Sequence, residues 1–247
     1  MITKADISLV RSLADKKARL ENCLFVVEGP KLVEEALASG FTVRRVMGLP
    51  EYAHFRYFEE ASAKDMERMS GLKTPQGVLA LVDIPRPGVM AIPRQKLVLA
   101  LDGVQDPGNL GTILRTADWF GIRDVFCSED TADCYNPKVV QASMGAVFRV
   151  GVHYTKLAPM LAEMHKHEVP VFGAFLDGEN IYEADLGVAP YGIIVMGNEG
   201  KGITPDVAAN IGHRLYIPPY PTGRPSSESL NVATATAIIC SEFRRPR

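Results

Sequence analysis

From Leu97 onward, short apolar runs alternate with stretches of helical period, and this alternation leaves few folds open. Leu97-Val98-Leu99-Ala100-Leu101 and Gly192-Ile193-Ile194-Val195-Met196 contain no polar side chain. A strand with one wet face alternates polar and apolar residues, whereas a strand apolar throughout is covered on both faces. Between and after these runs the spacing predicts helices over Asn109–Phe120, from Asn136-Pro137 onward, over Thr155–His167, from Thr204-Pro205 to Ile211, and over Ser229–Phe243. Further strands are predicted at Asp124–Cys127, Val169–Phe175 and His213–Ile217. Asn136-Pro137 and Thr204-Pro205 each pair a capping side chain with proline at the first helical position. Alternating strands and helices imply an α/β domain with a mostly parallel sheet and helices on both faces.

The segment before this domain is different. Ile84-Pro85-Arg86-Pro87-Gly88, echoed by Ile92-Pro93, lacks amide donors and disfavours helix before each proline, as a linker does. The expected division is a first domain over 1–84, a linker over 85–94 and a second domain over 95–247. In the first domain Ile7, Val10, Leu13 and Leu20 share one side of a predicted helix over Ile7–Leu20. Strands are expected at Cys23–Val27, Thr42–Met47 and Gly77–Val82, and helices over Lys31–Ala38 and Lys64–Met69. These elements describe a small α/β sandwich.

With 247 residues, 47% of them hydrophobic, the chain has enough apolar material for a sizeable core. A net charge of −2 argues against nonspecific nucleic-acid binding, though not against a local basic face. The charged N-terminus is not a signal peptide and no apolar run is long enough to span a bilayer, so a cytoplasmic protein without a membrane partner is expected. The four cysteines, Cys23, Cys127, Cys134 and Cys240, form no CxxC pair and have no histidine at zinc spacing; reduced structural thiols and no metal site are expected.

Three segments of the second domain combine chemistry-bearing residues with punctuation. The first is Asp106-Pro107-Gly108-Asn109-Leu110-Gly111-Thr112-Ile113-Leu114-Arg115. If Asn109 starts a helix, Arg115 lies about 240° away around the axis, and an arginine early in a helix opposes the dipole, which calls for an anion: Glu199 or a phosphate. The second is Gly197-Asn198-Glu199-Gly200-Lys201-Gly202, at the carboxyl end of an apolar strand, where open α/β sheets bind ligands. It lacks the GxxxxGK[ST] spacing of a phosphate loop, and no GxGxxG follows a strand. The third is Ile217-Pro218, followed by Ser229-Leu230-Asn231, where Ser229 is a natural N-cap.

In this order the three segments resemble the motifs of the SpoU (TrmH-type) RNA ribose 2′-O-methyltransferases of the SPOUT superfamily, over roughly 95–247 and more loosely over 1–84. The resemblance implies a C-terminal domain with a deep trefoil knot whose loops hold S-adenosylmethionine. The implied cofactor-binding residues are Gly173, Ala174, Met196, Gly197, Gly202, Ile217 and Leu230. The implied catalytic residues are Asn109, Arg115, Glu199, Ser229 and Asn231. A homodimer through the C-terminal domain is implied, as is an N-terminal RNA-binding domain similar to small ribosomal proteins, carried by Phe25–Gly29 and Thr74–Gly77. One departure is the segment Tyr220–Glu228, which enlarges the third motif and contains Arg224.

Methyl transfer to a hydroxyl needs positioning, removal of a proton and exclusion of water. Arginine stays protonated, so Arg115 is expected to orient the 2′-hydroxyl and a neighbouring phosphate, while a phosphate oxygen or Glu199 takes the proton. RNA is the expected substrate, ribosomal before transfer RNA, because the 2′-hydroxyl distinguishes RNA from DNA. Lys16, Lys17, Arg19, Lys31, Arg44, Arg45 and the terminal Arg244, Arg245 and Arg247 are candidates for phosphate contact. Two alternatives stay open: a non-catalytic RNA-binding scaffold of the same fold, and a small-molecule α/β enzyme, which the lack of a Ser/His/Asp or Cys/His arrangement weakens.

Overall fold

The computed structural model describes residues 2–86, 95–186, 191–221 and 228–245. The chain divides into two compact units, Met1–Pro87 with Asp133–Arg149, and Gly88–Ala132 with Val150–Arg247. This grouping differs from the expected division at 85–94, because the chain returns to the first unit at Asp133. Val140, Val147 and Phe148 join the apolar cluster of Phe25, Val27 and Val33. Their spacing matches a helix on any sheet, so the sequence does not reveal which sheet they cover.

The first unit is a four-stranded sheet flanked by helices. Helix α1 (Lys4–Ser12) opens with a reciprocal capping box between Thr3 and Asp6. The expected single helix over Ile7–Leu20 is two helices, because the Asp15 carboxylate accepts from the amides of Lys17 and Ala18 and starts α2 (Lys16–Asn22) afresh. The break turns Leu20 outward, 61% exposed, while Ile7, Val10 and Leu13 are buried as expected. There follow β1 (Leu24–Glu28), α3 (Pro30–Ala38), β2 (Val43–Gly48), β3 (Phe58–Glu60), α4 (Ala63–Met69) and β4 (Val78–Asp83). The sheet order is β1-β4-β2-β3, antiparallel except for the β2–β3 pair. Central β4 sorts its residues by the two-residue period. Val78, Ala80 and Val82 join the cluster of Phe25 and Val33 on one face; Leu79 and Leu81 join Ile7, Val10 and Met66 on the other. Each of these valines and leucines contributes about 1.5–3 kcal/mol on burial. Helix α6 (Pro137–Ser143), capped by Asn136, belongs to this unit.

The second unit contains β5 (Leu97–Asp102), α5 (Pro107–Trp119), β6 (Asp124–Cys127), β7 (Gly151–Tyr154), α7 (Leu157–Lys166), β8 (Val171–Phe175), β9 (Glu179–Asn180), β10 (Gly192–Gly197), α8 (Pro205–Ala208), β11 (His213–Tyr216) and α9 (Val232–Phe243). The sheet runs β7-β6-β5-β10-β8-β11-β9, and every neighbouring pair is parallel. Val98, Ala100, Ile193 and Val195 pack on Leu157, Met160, Leu161 and Met164 of α7. On α5 and α9, Leu110, Ile113, Ile239 and Cys240 are buried, and the two helices pack together. The Cys240 thiol is pushed up to about 12 by burial, which makes it inert. The decisive topological fact is that β10, late in the chain, is seated between β5 and β8.

Candidate active site

Parallel pairing of β5 and β10 is in register from Gly192 opposite Leu97 to Gly197 opposite Asp102. Both strands therefore end together, and the loops that leave them share one edge of the sheet. Asn198 ties the two loops: its Nδ2 donates to the Gly103 carbonyl at 2.7 Å, and its Oδ1 accepts from the amides of Gly200 and Lys201, each at 2.9 Å. Buried Asp102 adds a second tie by accepting from the Thr204 amide at 2.7 Å.

After β5 the chain turns into α5 two residues earlier than expected. Asp106, not Asn109, is the N-cap, accepting from the Asn109 amide at 2.8 Å, and Pro107 takes the first helical position. Asn109 is thereby set one turn into the helix, half-buried, with its side chain free to face the glycine loop. Its Nδ2 donates to Glu199 Oε1 at 2.9 Å, and its Oδ1 accepts from Asn231 Nδ2 at 2.8 Å. Asn231 Oδ1 in turn accepts from the amides of Ala233 and Thr234 at 2.9 and 3.3 Å. Asn231, rather than Ser229, is thus the N-cap of α9, which starts three residues later than expected. One row of directed hydrogen bonds links Glu199, Asn109, Asn231 and the start of α9, so all three motifs meet.

The glycines of the second motif have separate reasons. A Cβ on Gly197 would lie 2.4 Å from the Gly202 carbonyl carbon and from the Ile203 nitrogen, so only glycine lets the loop fold back on the strand. Gly202 has φ of +70° and exchanges two backbone hydrogen bonds with Asn198 at 3.0 Å, closing the loop. Gly173 is packed against Ile211 and Phe175, its Cβ position only 2.6 Å from Ile211 Cδ1. Met196 has its side chain in the core, so a ligand reaches it through its backbone alone.

Arg115 is exposed on α5 and, among the described residues, makes no ion pair with Glu199 or any other carboxylate. Glu199 is joined by Asn109 instead. Ala174 and Ile217 are half-buried at the carboxyl ends of β8 and β11, and Leu230 is exposed just before α9. Ser229 is exposed, and Arg224 lies outside the described residues, as does Arg247. Asp102, Asp106 and Asn198 organise the site although the resemblance does not imply them as site residues. Asp106-Pro107 carried the signal of a helix start, and an Asn beside glycine that of a side-chain-closed turn; nothing in one sequence marked Asp102.

Several basic candidates are already committed. Arg19 is 1% exposed and its Nε donates to Asp133 at 2.9 Å. Arg44 pairs with Asp83, Arg45 with Asp6 and Glu59, Arg245 with Glu242, and Arg244 donates to the Phe120 carbonyl. Lys16 and Lys31 are exposed. Among the described residues no group of three or more His, Cys, Asp or Glu is placed to hold a metal, and no helix is long and apolar enough to cross a membrane.

The model of the SpoU rRNA methylase family matches residues 96–241, more than half of the chain. The chain belongs to this family. An MRM3-like substrate binding domain matches residues 4–80. Among relatives of this SpoU chain is the Bacillus subtilis 23S rRNA (guanosine(2553)-2′-O)-methyltransferase RlmP, 32% identical over 95% of this chain and 94% of that one. Two solved structures are similar along nearly the whole length. A TrmH-family chain from Porphyromonas gingivalis is 45% identical, with TM-score 0.88 over 99% of this chain and 98% of that one. An AdoMet-bound rRNA methyltransferase from Sinorhizobium meliloti is 28% identical, with TM-score 0.86 over 99% and 95%.

SpoU enzymes use S-adenosylmethionine, and the carboxyl edge of this sheet fits it. Strands β8 and β10 are buried up to Gly173 and Met196 and become half-exposed at Ala174 and Gly197, and next to them β11 is half-exposed at Tyr216–Ile217. This rim combines apolar surface with backbone donors and acceptors, the composition that an adenosyl group requires.

Proposed function

We propose that this chain transfers the methyl group of S-adenosylmethionine to the 2′-hydroxyl of a ribose in ribosomal RNA. The observation that carries the reading is the row Glu199–Asn109–Asn231 at the carboxyl edge of the parallel sheet, beside the half-exposed ends of β8, β10 and β11. Relatives named for 23S rRNA 2′-O-methylation support ribosomal RNA over transfer RNA.

The bound cofactor supplies an already activated methyl group, so the chain's task is to hold, align and deprotonate. Ala174, Gly197, Ile217 and Leu230 hold the adenosyl group, with Gly173, Met196 and Gly202 shaping the rim. Asn109 and Asn231 fix Glu199 and the ribose. Arg115, permanently charged and without a carboxylate partner among the described residues, orients the 2′-hydroxyl and an adjacent phosphate. Glu199, with Oε1 engaged by Asn109, has Oε2 left to share the hydroxyl proton. Ser229, exposed beside Leu230, contacts the ribose or its phosphate.

A homodimer through the second unit is part of this proposal. Ala235, Ala237 and Ile238 of α9 are half-exposed and Trp119 on α5 is 84% exposed, an apolar surface that a second copy would cover. The insertion of β10 between β5 and β8 supports a trefoil-knotted return of the chain. Residues 1–84 serve as the RNA-binding part, with Lys16 and Lys31 among its exposed cations. Action on ribosomal RNA implies the cytoplasm, and four cysteines outside any disulfide suit a reducing compartment.

The deciding experiment incubates the protein with methyl-labelled S-adenosylmethionine and either ribosomal or transfer RNA, then maps 2′-O-methyl positions. Label at one ribosomal nucleotide is the expected result. Label in transfer RNA alone would overturn the target, and RNA binding with no label from any RNA would leave a scaffold.

A further inference from the structure

The first unit contains a cavity of about 650 Å³ that the methyl-transfer chemistry does not use, within the size range of small-molecule sites. Its lining comes from α1, β1, the turn after α4 and α6, all within the same unit. Val10, Val26, Met69 and Leu72 provide apolar surface. Arg11 and Lys138 stand exposed on it from α1 and α6, and neither makes an ion pair among the described residues.

Glu28, which also lines the cavity, has a buried carboxyl group, 5% exposed. Its partners are neutral: Ser70 Oγ donates to Oε1 and the Gly71 amide donates to Oε2 at 3.0 Å. A carboxylate accepts about four hydrogen bonds, so about half of this capacity stays open. Among the described residues no lysine or arginine pairs with it. A buried carboxylate held by neutral donors gains most from a ligand with further N–H groups. Next to it Gln141 donates Nε2 to the Glu28 carbonyl at 2.7 Å and keeps its Oε1 as an acceptor.

We propose that this cavity takes one unstacked guanine nucleotide of the RNA, distinct from the nucleotide that is methylated. The apolar walls cover the faces of the base, and Arg11 and Lys138 meet its phosphates. The N1–H and exocyclic N2–H of guanine donate side by side to Glu28. Adenine would instead place its N1 acceptor against the carboxylate, and uracil flanks its single N–H with two carbonyls. The inference rests on the reading of the chain as an RNA enzyme, but names a specificity site in the first unit that this reading leaves undefined. Sequence-specific RNA recognition works mostly on such unstacked bases.

The test titrates full-length protein, methyl-labelled at methionine, with 5′-GMP, 5′-AMP and 5′-UMP, and follows the Met69 methyl resonance. GMP is expected to shift it in roughly the millimolar range, about tenfold more tightly than AMP or UMP, the discrimination of one good bidentate base contact. Arg11→Glu with Lys138→Glu should weaken GMP about tenfold or more by replacing two cations with repelling anions. Ala14→Trp, at the exposed edge, should abolish the shift by filling the space. Urea unfolding monitored in the first unit reports whether each variant folds there; if Ala14→Trp does not, the charge-reversed pair decides. No Met69 shift with GMP, equal response to the three nucleotides, or a charge-reversed protein binding GMP as well as wild type would overturn the proposal. Methylation of ribosomal RNA by the wild type is read separately. Transfer without GMP binding sinks the cavity alone, and GMP binding without transfer sinks the enzyme reading alone.

Discussion

Asn109 and Glu199 are 90 residues apart in the chain, yet Asn109 Nδ2 donates to Glu199 Oε1 over 2.9 Å. Both amide ends of Asn109 are used, since its Oδ1 accepts from Asn231. Replacing Asn109 with alanine frees the carboxylate and uncouples the start of α9. Turnover should fall about 100-fold, the scale of a misplaced catalytic group, while S-adenosylmethionine affinity changes little. Single-turnover methylation and calorimetric titration measure the two effects; a large loss of cofactor affinity would assign Asn109 to the cofactor instead.

Arg115→Ala is expected to abolish methylation with cofactor binding intact, because its exposed side chain supports no other described contact. Arg115→Lys should rescue little, since an ammonium lacks the planar fork. Near-normal turnover in the alanine variant would remove Arg115 from the mechanism.

Gly197→Ala places a methyl group 2.4 Å from the backbone of Gly202 and Ile203. Backbone cannot rotate aside as a side chain does. We expect a stability loss of about 1–3 kcal/mol and weaker S-adenosylmethionine binding, seen together in thermal shifts with and without cofactor.

Asp133→Ala should destabilise the first unit by about 3–5 kcal/mol, the usual result of leaving a buried charge unpaired. Arg19, buried at 1% exposure, would keep only the Leu13 and Ala14 carbonyls as acceptors. Urea unfolding monitored in the first unit tests this, and an unchanged midpoint would show the pair to be dispensable.

Asp6 ties α1 to the sheet. Hydrogen bonds from the Arg45 guanidinium and from Thr3 hold its carboxyl well below the usual carboxylate range. A folded-state value lowered from 3.8 stabilises the fold above that pH, and the contribution disappears as pH falls toward the depressed value. The stability gap between wild type and Asp6→Asn should therefore be full at neutral pH and shrink below about pH 4. A gap that is constant across this range would contradict the assignment.

Periodicity laid out much of the second unit. The apolar runs at Leu97 and Gly192 are central parallel strands, and the Pro-led helix starts at Pro137 and Pro205 stand where local chemistry placed them. The order of the three motifs was enough to point to the SpoU family, since each motif is a short local pattern. Helix starts differ from the expected ones where the cap lies outside the apolar period, as with Asp106 before Asn109 and Asn231 after Ser229. Tertiary structure decided everything that depends on pairing across the chain. An all-apolar run marks a strand covered on both faces, but strand neighbours are chosen by backbone hydrogen bonding, which leaves no mark in local spacing. Hence only the fold shows that β10 lies beside β5, that Glu199 faces Asn109 rather than Arg115, and that Val140, Val147 and Phe148 complete the core of the first unit.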